Sequence, residues 1–222
     1  WRRTRAFCWM VALLHFDKLF QIPLMVAHEV TGLSYREMIE AFMNAKSDAY
    51  PLIGRIRDMF LREAEAIQNG GPEYVFSDEW LGIYWPADEY VFVKLTADNE
   101  FAAFCAEAAT LLKGLTAGNA TNQQQDLIDE AVTVNSALVR QPFLSDDLTI
   151  ETRHDLMGFY DAVRNGEHAI PEPRPTSITI ERSSQIHDDF QTWCREVVWW
   201  GNKKGAYLYT NKVSEKQLSG HY

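Results

Sequence analysis

Ser34-Tyr-Arg-Glu-Met-Ile-Glu-Ala-Phe-Met43 and, after a short polar break, Pro51-Leu-Ile-Gly-Arg-Ile-Arg-Asp-Met-Phe-Leu-Arg-Glu-Ala-Glu-Ala-Ile-Gln68 decide the fold class of this chain. Ser34 and Glu37 stand three apart, the spacing at which hydroxyl and carboxylate each satisfy the other residue's backbone N–H at a helix start. Leu33 precedes the box, and Met38, Ile39, Phe42 and Met43 follow at helical spacing. In the second stretch Pro51 suits a first helical position, where its missing N–H costs nothing. Leu52, Ile53, Ile56, Met59, Phe60, Ala64 and Ile67 form one apolar stripe, and Asn69-Gly-Gly-Pro72 stops it. Two capped amphipathic helices in succession predict a helical core.

Working outward, residues 4–20 read as one helix, and a second follows from Pro23 to Thr31-Gly32. Residues 73–86 are irregular and aromatic. Pro86-Ala-Asp-Glu89 reads as a helix start, although Tyr90-Val-Phe-Val-Lys-Leu95 is rich in strand formers. Helices are expected over 99–113, capped by Asp98, and over 125–140, with a polar linker from Gly114 to Gln125. Leu148-Thr-Ile-Glu-Thr152 is a short strand or an extended segment. Residues 154–165 read as a helix, the proline-rich stretch 168–177 as an extended connector, and Ser177-Ile-Thr-Ile-Glu181 as an edge strand. A helix from Asp188 to about Trp199 and a strand-like Gly205-Ala-Tyr-Leu-Tyr209 precede a polar tail. The expectation is a mainly α, multi-helix globular domain with a few short β-strands near the C-terminus. It forms one domain over 1–222, its best candidate seam near 168–177.

The 222 residues are 46% apolar and 23% charged, which excludes disorder, collagen and coiled coil as the whole architecture. No run of 18 apolar residues predicts a membrane span. Three separated cysteines, Cys8, Cys105 and Cys194, suit neither a disulfide framework nor an all-cysteine zinc site, and a cytoplasmic setting is expected. The net charge is −10, yet residues 1–5 and 201–222 each carry +3, which leaves the body between them at −16. An acidic body disfavours nucleic acid as a partner. The chain begins at Trp1 with no signal peptide, and it reads as a piece of a longer polypeptide.

No nucleophile elbow, phosphate loop or dinucleotide fingerprint occurs. Gly32-Leu-Ser-Tyr-Arg-Glu-Met-Ile39 looks like the first helix of a helix-turn-helix, but a loop follows where the recognition helix belongs. Six histidines are scattered without an i, i+4 pair, so no metal ligand and no catalytic residue is assigned. His15, Trp80 and Trp85 are candidates for a small-molecule pocket. The densest feature is Trp193-Cys-Arg-Glu-Val-Val-Trp-Trp-Gly-Asn-Lys-Lys-Gly-Ala-Tyr-Leu-Tyr209. Either it is a docking surface or anion pocket, or it is a C-terminal hairpin packed on the core. Trp200, Asn202, Lys203, Lys204 and Tyr207 are its expected outward contact residues, and Trp199 joins them as an expected substrate or domain-interface contact.

Four phrases together resemble the C-terminal region of cobalamin-binding radical SAM proteins: His15-Phe-Asp-Lys-Leu-Phe-Gln-Ile-Pro23, Gly32-Leu-Ser-Tyr-Arg-Glu37, Trp80-Leu-Gly-Ile-Tyr-Trp-Pro-Ala-Asp-Glu-Tyr90 and Arg195 to Tyr209. The resemblance implies a parent enzyme performing methyl transfer or related radical chemistry. Its upstream cobalamin-binding domain and radical SAM barrel would be this segment's partners and would hold cobalamin, SAM and a [4Fe-4S] cluster on a C-x3-C-x2-C motif. Cys8, Cys105 and Cys194 do not form that motif, so the segment is expected to carry no cofactor and no catalysis of its own. The alternative is a stand-alone protein-interaction module docking through its aromatic, basic C-terminus.

Overall fold

In the computed structural model, which describes residues 1–200 and 207–215, helices carry most of the chain. The elements are α1 (Arg2–Val11), α2 (Gln21–Thr31), α3 (Tyr35–Met43), α4 (Pro51–Gln68), β1 (Val75–Ser77), β2 (Ile83–Trp85), α5 (Ala87–Ala97), α6 (Phe101–Thr116), α7 (Asn122–Leu138), β3 (Leu148–Thr152), α8 (Leu156–Arg164), β4 (Thr176–Ile180), α9 (Phe190–Trp193) and β5 (Asn211–Glu215). Two π-helical segments, Ala12–Phe16 and Cys194–Trp199, extend α1 and α9. The fold class is mainly α with short strands.

The capping box at the start of α3 is formed: the Glu37 amide donates to Ser34 Oγ at 3.2 Å, and the Ser34 amide donates to Glu37 Oε2 at 2.8 Å. A second box, Thr121 with Gln124, opens α7 inside the stretch read as linker. At the start of α4 the Glu107 carboxylate, reaching over from α6, accepts from the amides of Leu52 and Ile53 and neutralises the helix dipole there. α5 is helical despite its strand formers because Val91, Phe92, Val93 and Leu95 are all buried, and a helix apolar on most faces belongs inside. Asp98 does not cap α6. It closes α5 and pairs with Lys94 one turn back at 2.8 Å, and Glu100 stands at the α6 N-cap.

The single helix expected over 4–20 is broken. The amide of Asp17 bonds to the Ala12 carbonyl, an i→i+5 closure that inserts a residue into the turn. Lys18 then takes a left-handed conformation at φ 64°, and α2 leaves at 95° to the first helix. Asn135 of α7, almost fully buried, holds this corner. Its Nδ2 donates to the carbonyls of Lys18 and Leu19, and its Oδ1 accepts from the Ile22 amide. No single helix among the described residues is long and apolar enough to cross a membrane.

Residues 75–85 form a hairpin rather than an irregular stretch, with Val75 opposite Trp85 and a turn that uses positive φ at Leu81 and Gly82. Residues 148–152 are a strand, and β4 is the centre, not the edge, of an antiparallel sheet of order β3-β4-β5. Its alternation, with Thr176, Ile178 and Ile180 inward, records one buried face and says nothing about position in the sheet. The partner β5 lies in the polar tail at 211–215, beyond the strand-like stretch expected to end at Tyr209. Among the described residues of that stretch, Leu208 makes a bridge, to Val139. One continuous core runs from Ala6 to Tyr209 and includes residues on both sides of the 168–177 seam, such as Tyr160 and Ile178.

Candidate functional site

The break after α1 borders one of the two larger cavities among the described residues, a groove of about 720 Å³ between α1, α2, α3 and α8. Its floor and walls are Phe7, Val11, Leu24, Met25, Ile39 and Val163, and its rim carries Arg3, Arg36, Glu40 and Arg164. The volume lies in the range of roughly 300–1,000 Å³ typical of small-molecule sites. π-helical turns often mark functional positions because the extra residue re-aims the side chains on that turn. Here the turn sets His15 against the groove and sends Asp17 in another direction, into the interior.

Hydrogen bonding fixes the state of His15. The Tyr160 hydroxyl donates to Gln21 Oε1 at 2.9 Å, which leaves the Gln21 amide nitrogen facing His15 Nε2 at 3.4 Å. That nitrogen can only donate, so His15 Nε2 accepts and the ring hydrogen of the neutral imidazole sits on Nδ1. Nδ1 is buried and has no partner. Burial, and then the neighbouring Lys18 ammonium, hold the imidazole below the usual histidine range, so the ring is neutral near pH 7. Edge-on contacts with Phe16 and Tyr35 hold its plane, at 5.3 and 5.8 Å between centroids. The result is a neutral donor, without an acceptor, beside an apolar groove with guanidinium groups on its rim.

The three pocket candidates are not brought together. His15 lines the groove, Trp80 is buried at a different depression beside Phe190, and Trp85 is fully enclosed. Trp85 is a core residue: its indole N–H donates to the Trp80 carbonyl at 3.2 Å and its ring packs edge-on against Trp199 at 5.5 Å. Of the C-terminal set, Trp200 is 42% exposed and Trp199 is half-buried, and both line a shallow depression of about 420 Å³ with Leu81 and Ile83. Tyr207 is not an outward residue. It is 1% exposed, beneath Phe92. Asn202, Lys203 and Lys204 lie outside the described residues.

The residues that complete the groove, Gln21, Tyr35, Arg36 and Arg164, were not singled out from the sequence as site residues. His15 and Gln21 are six apart, a separation that meets only because the helix is broken between them. Arg3 belongs to the N-terminal basic run, and all three of its members are engaged: Arg2 with Glu65, Arg3 with Glu40, and Arg5 with Glu73. Of the arginines of α4, which could suggest nucleic-acid contact, Arg55 is spent on Glu100 and Arg57 on Asp58 and the Ala45 carbonyl, while Arg62 makes no ion pair or hydrogen bond among the described residues.

A second cluster lies in the interior. The carboxylates of Asp17, Asp88 and Glu89 act on one another and on the Tyr207 hydroxyl. Asp17 Oδ2 and Tyr207 Oη are buried and make no hydrogen bond of regular geometry. Burial, then the neighbouring carboxylates, push Asp17 well above the usual range, and burial carries Asp88 to about 6. Among the described residues no group of three His, Cys, Asp or Glu could hold a metal ion. Cys8, Cys105 and Cys194 sit on three different elements, and burial pushes the last two thiols to about 12, far from thiolates at neutral pH. The residues present therefore do not suit an iron–sulfur cluster. No protein-family model matches the chain, and no curated protein matches it.

Proposed function

We propose that this chain is the substrate-side accessory domain of a larger cobalamin-dependent radical SAM enzyme, and that its part is to hold an unreactive portion of the substrate in the groove beside α1. The observation that carries this reading is the groove itself, whose polar equipment comes from the phrases that resemble that family. His15 and Gln21 belong to the first phrase, Tyr35 and Arg36 to the second, and all four line it. The third and fourth phrases also meet, through Trp85 against Trp199 and through Tyr207 beside Asp88 and Glu89. Binding energy gathered on a remote part of a substrate can serve orientation at the reacting carbon, which is what a segment without its own redox groups can contribute.

A second reading, a protein-interaction module, is favoured by one observation: Trp199 and Trp200 border an open depression with Leu81 and Ile83. Trp is among the residues that anchor protein interfaces. One experiment separates the two. The reading frame upstream of Trp1 is sequenced, and the intact product is reconstituted anaerobically with iron, sulfide and cobalamin, then given SAM and dithionite as reductant. A C-x3-C-x2-C motif and reductive cleavage of SAM are expected. A start codon within a few residues of Trp1 would overturn the enzyme reading in favour of the module.

A further inference from the structure

We propose that the groove between α1, α2, α3 and α8 binds a long-chain alkyl carboxylate, its chain along the apolar floor and its head group at Arg36. The inference rests on the groove being a ligand site, as in the reading above, and adds the class of ligand.

The charge on the rim selects the head group. Arg3 is spent on Glu40, the sole carboxylate among the described lining residues, and also donates to Asn44 at 3.1 Å. Arg164 lies 3.7 Å from Asp161 and stacks over the Tyr160 ring at 5.3 Å. Arg36 is exposed and makes no hydrogen bond or ion pair among the described residues. One uncommitted guanidinium matches one negative charge, and its planar fork suits the two oxygens of a carboxylate. A dianionic phosphate would leave a charge unmatched beside Glu40. The neutral His15 adds no charge.

The floor selects the tail. Leu24, Met25 and Ile39 are almost wholly buried, and with Phe7, Val11 and Val163 they make the apolar part of the lining, beside the polar groups of Thr4, His15, Gln21 and Tyr35. An alkyl chain gains about 0.8 kcal/mol per methylene removed from water. Head group and chain are therefore both needed for tight binding.

The test is calorimetric titration of the 222-residue chain at pH 7.5 with dodecanoate and dodecyl phosphate below their micellar concentrations and dodecanol below its solubility limit. Dodecanoate should bind at one site, roughly two- to five-fold tighter than dodecanol, the range an exposed charge pair supplies. Arg36→Gln should bring dodecanoate down to the dodecanol level and leave dodecanol unchanged. Val163→Trp, a filling change at a half-buried position, should abolish both, with circular dichroism showing the fold retained. Equal affinity for dodecanol and dodecanoate, tighter binding of the phosphate, binding at many sites, or indifference to Arg36→Gln would each overturn the proposal. Such a failure leaves the accessory-domain reading standing. A missing cluster motif upstream would overturn that reading and leave dodecanoate binding intact.

Discussion

Asn135 shows how much one side chain can hold. Its amide serves the carbonyls of Lys18 and Leu19 and the amide of Ile22, three main-chain groups at the corner where the first helix gives way to α2. Two of these cannot turn to water, because Leu19 and Ile22 are themselves fully buried, whereas Lys18 is only partly covered. Truncation strands each buried group at a cost of about 1–3 kcal/mol, so Asn135→Ala should lose at least about 2 kcal/mol. In a chain of this size that is a fall in Tm of roughly 4–8 °C, readable in a thermal melt. Asn135→Asp should fare no better at neutral pH, since it keeps the acceptor but replaces two donors with a buried charge. A loss below about 1 kcal/mol for Asn135→Ala would mean that the corner is held by apolar packing instead. Sequence periodicity placed this asparagine among polar residues of an amphipathic helix and gave no sign of its role, because its partners lie more than a hundred positions away.

At the scale of elements, what could be read was whatever is encoded locally. The capping box of α3, the proline start and glycine stop of α4, and the apolar stripes of both are contacts between near neighbours, and they stand where the spacing puts them. What could not be read depends on distant packing. The i→i+5 turn after α1 is stabilised by the corner that Asn135 pins, and β4 became a central strand because a polar segment at 211–215 pairs with it. The groove follows the same division. His15 was visible as a candidate, but Arg36 and Gln21 reach it only through the break. Helix α4 offers a case where local and distant effects oppose each other. Gly54 lies in its interior, where alanine is intrinsically better by about 1 kcal/mol. Yet a Cβ there would stand 2.8 Å from the Ser47 Cβ and 3.0 Å from its Cα, within the α3–α4 loop. That overlap costs about 1–3 kcal/mol, so the clash outweighs the propensity and Gly54→Ala should destabilise. Adding Ser47→Gly should recover most of the loss, and denaturant titration of the two single variants and the double variant measures the coupling. Independent, additive effects would rule out the contact as the cause.

Across the whole molecule, the interior cluster ties together the corner after α1, the first turn of α5 and the returning chain at Tyr207, and it makes stability depend on pH in an uncommon direction. Asp88 is carried from 3.8 to about 6 by burial, against the opposing pull of its own and the Glu89 amide and of Arg5. Asp17 is raised as well, by burial and then by Asp88 and Glu89. For an acid whose folded value is raised, the folded state holds the proton more tightly than the unfolded chain does. The stabilisation is then fully present below 3.8 and is lost as pH rises to about 6. For Asp88 the shift corresponds to about 3 kcal/mol, since each unit is worth about 1.4 kcal/mol. His15 and His187 work the other way: burial holds both below their ordinary 6.5, so they cost stability as pH falls through that region. The raw profile of the wild type mixes the two, and the difference between variant and wild type separates them. Asp88→Asn keeps an acceptor for the two amides and cannot ionise. It should therefore melt several degrees above the wild type at pH 8, at about 2–4 °C per kcal/mol for a chain of this length, and the gap should close toward pH 4. A gap that stays constant between pH 4 and pH 8 would show that folding does not raise the Asp88 carboxyl, with the cluster open to water.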